Sequence, residues 1–98
     1  LSIGYQIAQS CHGVQQFAME HPDINKEWFN ASNYIVVLCV KNEFELIELT
    51  AKAEERGIMQ SIFEEPDLDN QVTCIVLEPS EDSRKLCSKL PLAPGKCK

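Results

Sequence analysis

Apolar residues recur at Ile7, Cys11, Val14 and Ala18, one helical turn apart, and Ala8 and Phe17 widen the stripe. Gln9, His12 and Gln16 occupy the opposite, polar face. The helix is expected to stop before Pro22, because proline disfavours the α conformation in the residue ahead of it. His21-Pro22-Asp23 then reads as a fresh start with proline in the first turn, opening a short helix whose Trp28 and Phe29 pack inward. Tyr34 to Val40 is continuous, apolar and largely β-branched, the pattern of a strand buried on both faces. Asn42-Glu43-Phe44-Glu45 has the cap-x-x-Glu form of a helix start. Leu46, Leu49 and Ala53 line one side of that helix beside Ile47, Glu48 pairs with Lys52 on its outer side, and Gly57 caps its end. Ile58 to Phe63 and Val72 to Leu77 read as two more strands. Pro79-Ser80-Glu81-Asp82 opens a last helix through Leu90, ended by Pro91 and Pro94.

Strand, helix, strand implies a parallel pair with a right-handed crossover, whereas Glu64 to Gln71 is too short for one. The expected fold is a three-layer α/β/α sandwich around a small mixed β-sheet. Residues 1–92 form the domain and 93–98 a flexible tail. Leu1-Ser2-Ile3-Gly4 resembles the end of a strand-to-helix turn, so a strand before the first helix is expected and is missing from the chain as given.

Length and charge narrow this picture. Ninety-eight residues make one domain, and 44% hydrophobic content is ordinary for a globular core. Fifteen acidic against nine basic residues give a net charge of −6, a field that repels phosphate at long range. Lys and Arg cluster only weakly, at Arg84, Lys85 and Lys89. The five cysteines are odd in number and form no Cys-x-x-Cys, and Cys39 and Cys74 sit in apolar runs where a thiol acts as a small hydrophobe. That usage reads as a reducing, cytoplasmic setting. The longest apolar run is too short to cross a bilayer, so no membrane partner is expected. Asp67, Asp69 and Glu78 imitate part of a calcium loop, but Val72 stands where such a loop needs glycine. No metal and no cofactor is expected.

Gly4-x-x-x-Ala8-Gln9-x-x-His12, followed by the strand order above and by Thr73-Cys74-Ile75-Val76-Leu77-x-Pro79, resembles the archaeal and eukaryotic (second) type of peptidyl-tRNA hydrolase. The resemblance runs from Leu1 to about Leu90. It implies hydrolysis of the ester between a stalled peptide and its tRNA. It also implies a site built from a lysine in the turn before the Ala-Gln pair, an acid after the third strand, and the threonine of the last strand. In this chain Gln9, His12 and Thr73 match, the lysine position is Tyr5, and the acid position falls on Glu64.

The residues themselves leave alternatives open. Thr73, Glu64 and His12 are the catalytic candidates, and Tyr5, Gln6, Gln9 and Gln16 the substrate-binding ones. His12 suits a general base or phosphate contact, but equally a helix histidine bonded to a loop. Gln9 suits a substrate carbonyl or a cap of its own turn. The amides near Tyr5 and Gln6 offer the anion site of any helix N-terminus. Two readings follow. One is a peptidyl-tRNA hydrolase with weakened or altered activity, because a lost cationic donor of this kind costs roughly 100–1,000-fold in rate. The other is a non-catalytic relative acting as a binding or dimerisation module, with a homodimer as its protein partner.

Overall fold

The structure is a computed structural model that describes residues 2–93. Helices α1 (Ile3–Glu20), α2 (Pro22–Ala31) and α3 (Glu43–Glu55) precede a hairpin of β1 (Gln60–Glu65) and β2 (Gln71–Leu77), joined by a 3-10 turn at Pro66–Leu68, and α4 (Glu81–Leu86) follows. The end of the expected tail, beyond Ala93, lies outside the described residues.

Local chemistry sets the helix ends. The Ser2 hydroxyl accepts the Tyr5 N–H at 3.1 Å and so starts α1. Asn42 Oδ1 accepts from Glu45 N at 3.0 Å while Glu45 Oε1 accepts from Lys41 N at 2.8 Å, a capping exchange that fixes α3. Gly57 takes φ of 71°, a conformation costly to any residue with a Cβ, directly after that helix. His21 links α1 to α2. Its backbone N–H bonds Phe17 O, its ring packs on Phe17, and Nε2 lies 2.9 Å from Gln60 O. The last helix stops at Leu86 rather than Leu90, with Cys87 as its cap.

The fold is mixed α/β, with the hairpin between helices. Ser61, Phe63 and Glu65 of β1 all meet residues of α1, and Gln60, of opposite parity, reaches Thr50 O of α3 at 3.0 Å. The sheet itself is smaller than the expected three strands. Among the described residues it is the antiparallel pair β1–β2 alone. The Tyr34–Val40 segment forms no strand, and among the described residues its only ladder pairing is an antiparallel bridge from Leu38 to Leu92, so the expected parallel crossover does not form. Its composition favours pleated backbone, but a strand also needs a neighbouring edge for its N–H and C=O groups, and no described strand lies beside it. Val36 is accordingly 68% exposed. Cys39 is in a disulfide rather than a free thiol, whereas Cys11, Cys74 and Cys87 are free.

Helix α1 also turns a different face to the sheet from the one its stripe suggests. Gln9, Gly13 and Phe17 are its buried residues, while Ile7 is 59% exposed and Cys11 is exposed. The reason is Gly13: an ideal Cβ there would sit 2.5 Å from Cys74 Sγ and 3.0 Å from Val76 Cγ2. Only glycine lets the helix approach β2 this closely. The Ile7–Cys11–Val14–Ala18 stripe instead lines an open apolar groove facing Ile35 and Val37. Phe29, expected inward, is exposed, and Trp28 is half-buried with its indole N–H on Tyr34 O at 2.7 Å.

Candidate active site

The site lies where the polar face of α1 meets the far end of the hairpin. A β-bulge builds it. Phe63 pairs with Cys74, but the next pair is Glu64 with Val72, so Thr73 is an extra residue without a ladder partner. Cys74 and Val76 lie against Gly13 of α1, and strict alternation would turn Thr73 to the opposite side. The bulge reverses that parity and brings Thr73 to α1 as well.

There Thr73 Oγ1 donates to Gln9 Oε1 in a short hydrogen bond. Gln9 Nε2 donates in turn to Glu65 Oε1 at 2.8 Å, and the Tyr5 hydroxyl reaches the same oxygen at 3.4 Å. Glu65 Oε2 accepts from Asp67 N at 3.4 Å. Gln9 is 2% exposed, and Glu65 is also buried. The Gln9 amide, the Asp67 N–H, the Tyr5 hydroxyl and the nearby His12 hold the Glu65 carboxyl below its ordinary range, against the opposing effect of burial. Burial first, then the Glu65 charge, pushes the Tyr5 phenol up, so Tyr5 is a neutral donor at physiological pH. No Lys or Arg ion-pairs with Glu65 among the described residues.

The sequence candidates divide on this geometry. Thr73, Gln9 and Tyr5 come together. Glu64 does not join them: it is exposed, and the neighbouring Glu65 occupies the network. Strand parity carries the signal that finds Glu65, since a residue on the side of Phe63 must be two positions away. His12 is exposed beside the network, its ring stacked on Phe63 with centroids 5.1 Å apart and planes 16° from parallel. Gln16 Nε2 bonds Ile62 O at 2.9 Å and Glu20 Oε2 at 3.1 Å. Gln6 lies on the wall of the apolar groove. No group of three or more His, Cys, Asp or Glu is placed to hold a metal among the described residues. No helix among them is long and apolar enough to cross a membrane.

A buried acid that fixes an amide, which fixes a threonine on a bulged strand, is an arrangement suited to positioning a small polar reactant. The family model described as "Peptidyl-tRNA hydrolase PTH2" matches residues 1–92, and the chain belongs to that family. Among curated proteins it is similar to "Peptidyl-tRNA hydrolase" of Thermococcus sibiricus (strain DSM 12597 / MM 739), 33% identical over 90 residues. It is 32% identical over 90 residues to the protein of the same name from Thermococcus onnurineus (strain NA1). Each match covers 84% of this chain and 76% of the relative.

Proposed function

We propose that the chain hydrolyses the ester joining a peptide to the terminal ribose of tRNA, with Thr73 holding the attacking water. The Thr73–Gln9–Glu65 relay, with Gln9 and Glu65 buried, carries this reading. An ionised carboxylate only accepts hydrogen bonds, so the Gln9 amide must turn its NH2 to Glu65 and its carbonyl to Thr73. The threonine proton is thereby committed to Gln9, and the lone pairs of Oγ1 remain to accept from a water. Glu65 thus takes the acid position first assigned to Glu64. It acts as a positioning residue, reaching the substrate only through Gln9.

In the reaction the water oxygen bonds to the ester carbonyl carbon, and the bond from that carbon to the ribose oxygen breaks. The proton lost by water ends on the ribose oxygen, and the peptide leaves with a carboxyl terminus. The Tyr5 bond to Glu65 is long, so its hydroxyl can turn to the carbonyl oxygen as negative charge develops there. On this reading the protein works in the cytoplasm, where translation leaves peptidyl-tRNA. The net charge of −6 and the neutral Tyr5 favour the second reading, a binding or dimerisation module with no turnover.

Deacylation of a peptidyl-tRNA by the wild type and by Thr73→Ala separates the two. The expected result is turnover by the wild type and a loss of roughly 100-fold in the variant, the scale of one oriented polar group at a reacting centre. A wild type without turnover, or a Thr73→Ala variant that keeps full activity while folded, overturns the hydrolase assignment.

A further inference from the structure

The stacked His12–Phe63 pair makes no hydrogen bond to the relay, although His12 lies near enough to act electrostatically on Glu65. No ring hydrogen bond joins His12 to Thr73, Gln9 or Glu65 among the described residues, and its one ring contact there is Phe63. His12 is exposed, and the half-buried Phe63 holds the imidazole nearly parallel to its own ring. The pair is therefore a braced flat surface with one imidazole face turned away from Phe63. It stands one helical turn from Gln9, about 5–6 Å along the surface of α1.

Gln16, one turn further on, has a fixed orientation. Both partners of its Nε2, the Ile62 carbonyl and the Glu20 carboxylate, are acceptors, so the amide cannot be reversed. Its Oε1 has no partner among the described residues and is left as an acceptor beside the platform. A flat ring face flanked by a lone acceptor suits a planar heterocycle carrying an amine. Every tRNA ends in adenosine, whose ribose bears the ester, so the adenine lies one sugar away from the bond being cut. In a chain of net charge −6, uncharged stacking can hold a substrate where phosphate contacts are scarce.

We propose that His12 and Phe63 form a stacking platform for the terminal adenine of the substrate, with Gln16 Oε1 accepting from its exocyclic amine. The inference rests on the proposed hydrolase reading for its choice of ligand. It makes His12 a binding residue rather than a general base.

Adenosine, which has no phosphate and no ester, is the probe, and its binding is followed by NMR shifts of the His12 and Phe63 ring protons. Adenosine is expected to move both sets of signals, and ribose neither. His12→Ala should weaken binding by roughly five- to tenfold, the lower end of base–aromatic stacking, while His12→Phe restores it. Inosine, with a carbonyl in place of the amine, should bind more weakly than adenosine to the wild type, and Gln16→Ala should abolish that difference. Unmoved ring signals, or a folded His12→Phe as poor as His12→Ala, overturn the platform. An unchanged adenosine preference in Gln16→Ala overturns the amine contact. Because adenosine binds without reacting, platform binding in a protein with no turnover defeats the hydrolase reading alone. Turnover without platform binding defeats this inference alone.

Discussion

Gln9 Nε2 donates to Glu65 Oε1 across 2.8 Å, joining residues 56 apart in the chain inside a buried site. This bond fixes more than its two partners. The carboxylate dictates which end of the amide faces it, and the other end then dictates that Thr73 must donate. In the proposed reaction, orientation passes from the Glu65 carboxylate through Gln9 to the Thr73 hydroxyl.

Glu65→Gln should break that logic at its source, because a neutral amide can offer an NH2 group where the carboxylate could only accept. Gln9 is then free to reverse, and Thr73 loses its fixed donor direction. A fall in kcat on the order of 100-fold is expected with little change in KM, the scale of a small misplacement at a reacting centre. Glu64→Gln, on the exposed side of the strand, should stay within about twofold of wild type, as surface changes generally do. Steady-state deacylation of both variants decides between the two neighbouring acids, and an effect at Glu64 alone would reverse the assignment.

The same carboxylate makes stability depend on acid. Its folded pKa lies below the ordinary value, chiefly through the Gln9 amide, so the folded state favours the ionised form. The contribution is therefore complete above the unfolded value of about 4.3 and is lost as pH falls through the lowered folded value. Thermal melts should show wild type losing stability relative to Glu65→Gln as pH falls below about 5. A difference that stays constant across that range contradicts the lowered carboxyl.

Gly13→Ala tests the contact that seats α1 on the sheet. Alanine favours a helix over glycine by roughly 0.5–1 kcal/mol, so an open site would gain stability. Here the added methyl meets Cys74 Sγ at 2.5 Å and Val76 Cγ2 at 3.0 Å, and overpacking of this kind costs about 1–3 kcal/mol. Urea unfolding should report a net loss, partly recovered in a Gly13→Ala, Cys74→Ala double variant. Since α1 carries Gln9 and β2 carries Thr73, activity should fall with it.

Much of this was readable from the residues, and the failures share one cause. Asn42 with Glu45, and Gly57, marked the bounds of α3 because capping is local chemistry. Thr73 and Gln9, both singled out by the resemblance, meet in the structure. Glu65, not its neighbour Glu64, joins the network because Ser61, Phe63 and Glu65 share the α1 side of β1, a parity that the family pattern does not carry; the bulge that turns Thr73 to the same side leaves no mark at a single position. Tyr34–Val40 reads as a buried strand because β-branched runs record a preference for pleated backbone, without saying whether an edge is there to pair with. Ile7 and Cys11 misled for a related reason. An apolar stripe outweighs a lone glycine in any periodicity argument, although Gly13 sets which face can come close to the sheet.

Cys74 should be chemically silent in the folded protein. Burial pushes its thiol up to about 11, so hardly any thiolate exists near neutral pH. Cys11 is exposed on the opposite side of α1. Iodoacetamide followed by peptide mapping is expected to modify Cys11 first and Cys74 only after denaturation. Early labelling of Cys74 would mean that α1 lifts from β2 far more readily than its packing implies.

Tyr5 stands where the resemblance implies a lysine, and restoring a cation there is the sharpest test of what the difference costs. The phenol reaches Glu65 Oε1 at 3.4 Å, and burial followed by the Glu65 charge keeps it protonated. It can lend one neutral hydrogen bond to a developing oxyanion but no positive charge. Tyr5→Lys would place an ammonium beside an acidic site that ion-pairs with no Lys or Arg among the described residues. Because losing one oriented donor costs roughly 100–1,000-fold and Tyr5 already supplies part of that, a gain of about tenfold in kcat/KM is expected. The competing outcome is a loss, in which the lysine captures Glu65 in an ion pair and draws it from Gln9. Deacylation by Tyr5→Lys and by Tyr5→Phe distinguishes them: if the phenol is a working donor, Tyr5→Phe slows the reaction while Tyr5→Lys speeds it. If both variants lose activity equally, Tyr5 matters for holding Glu65 in place rather than for the oxyanion.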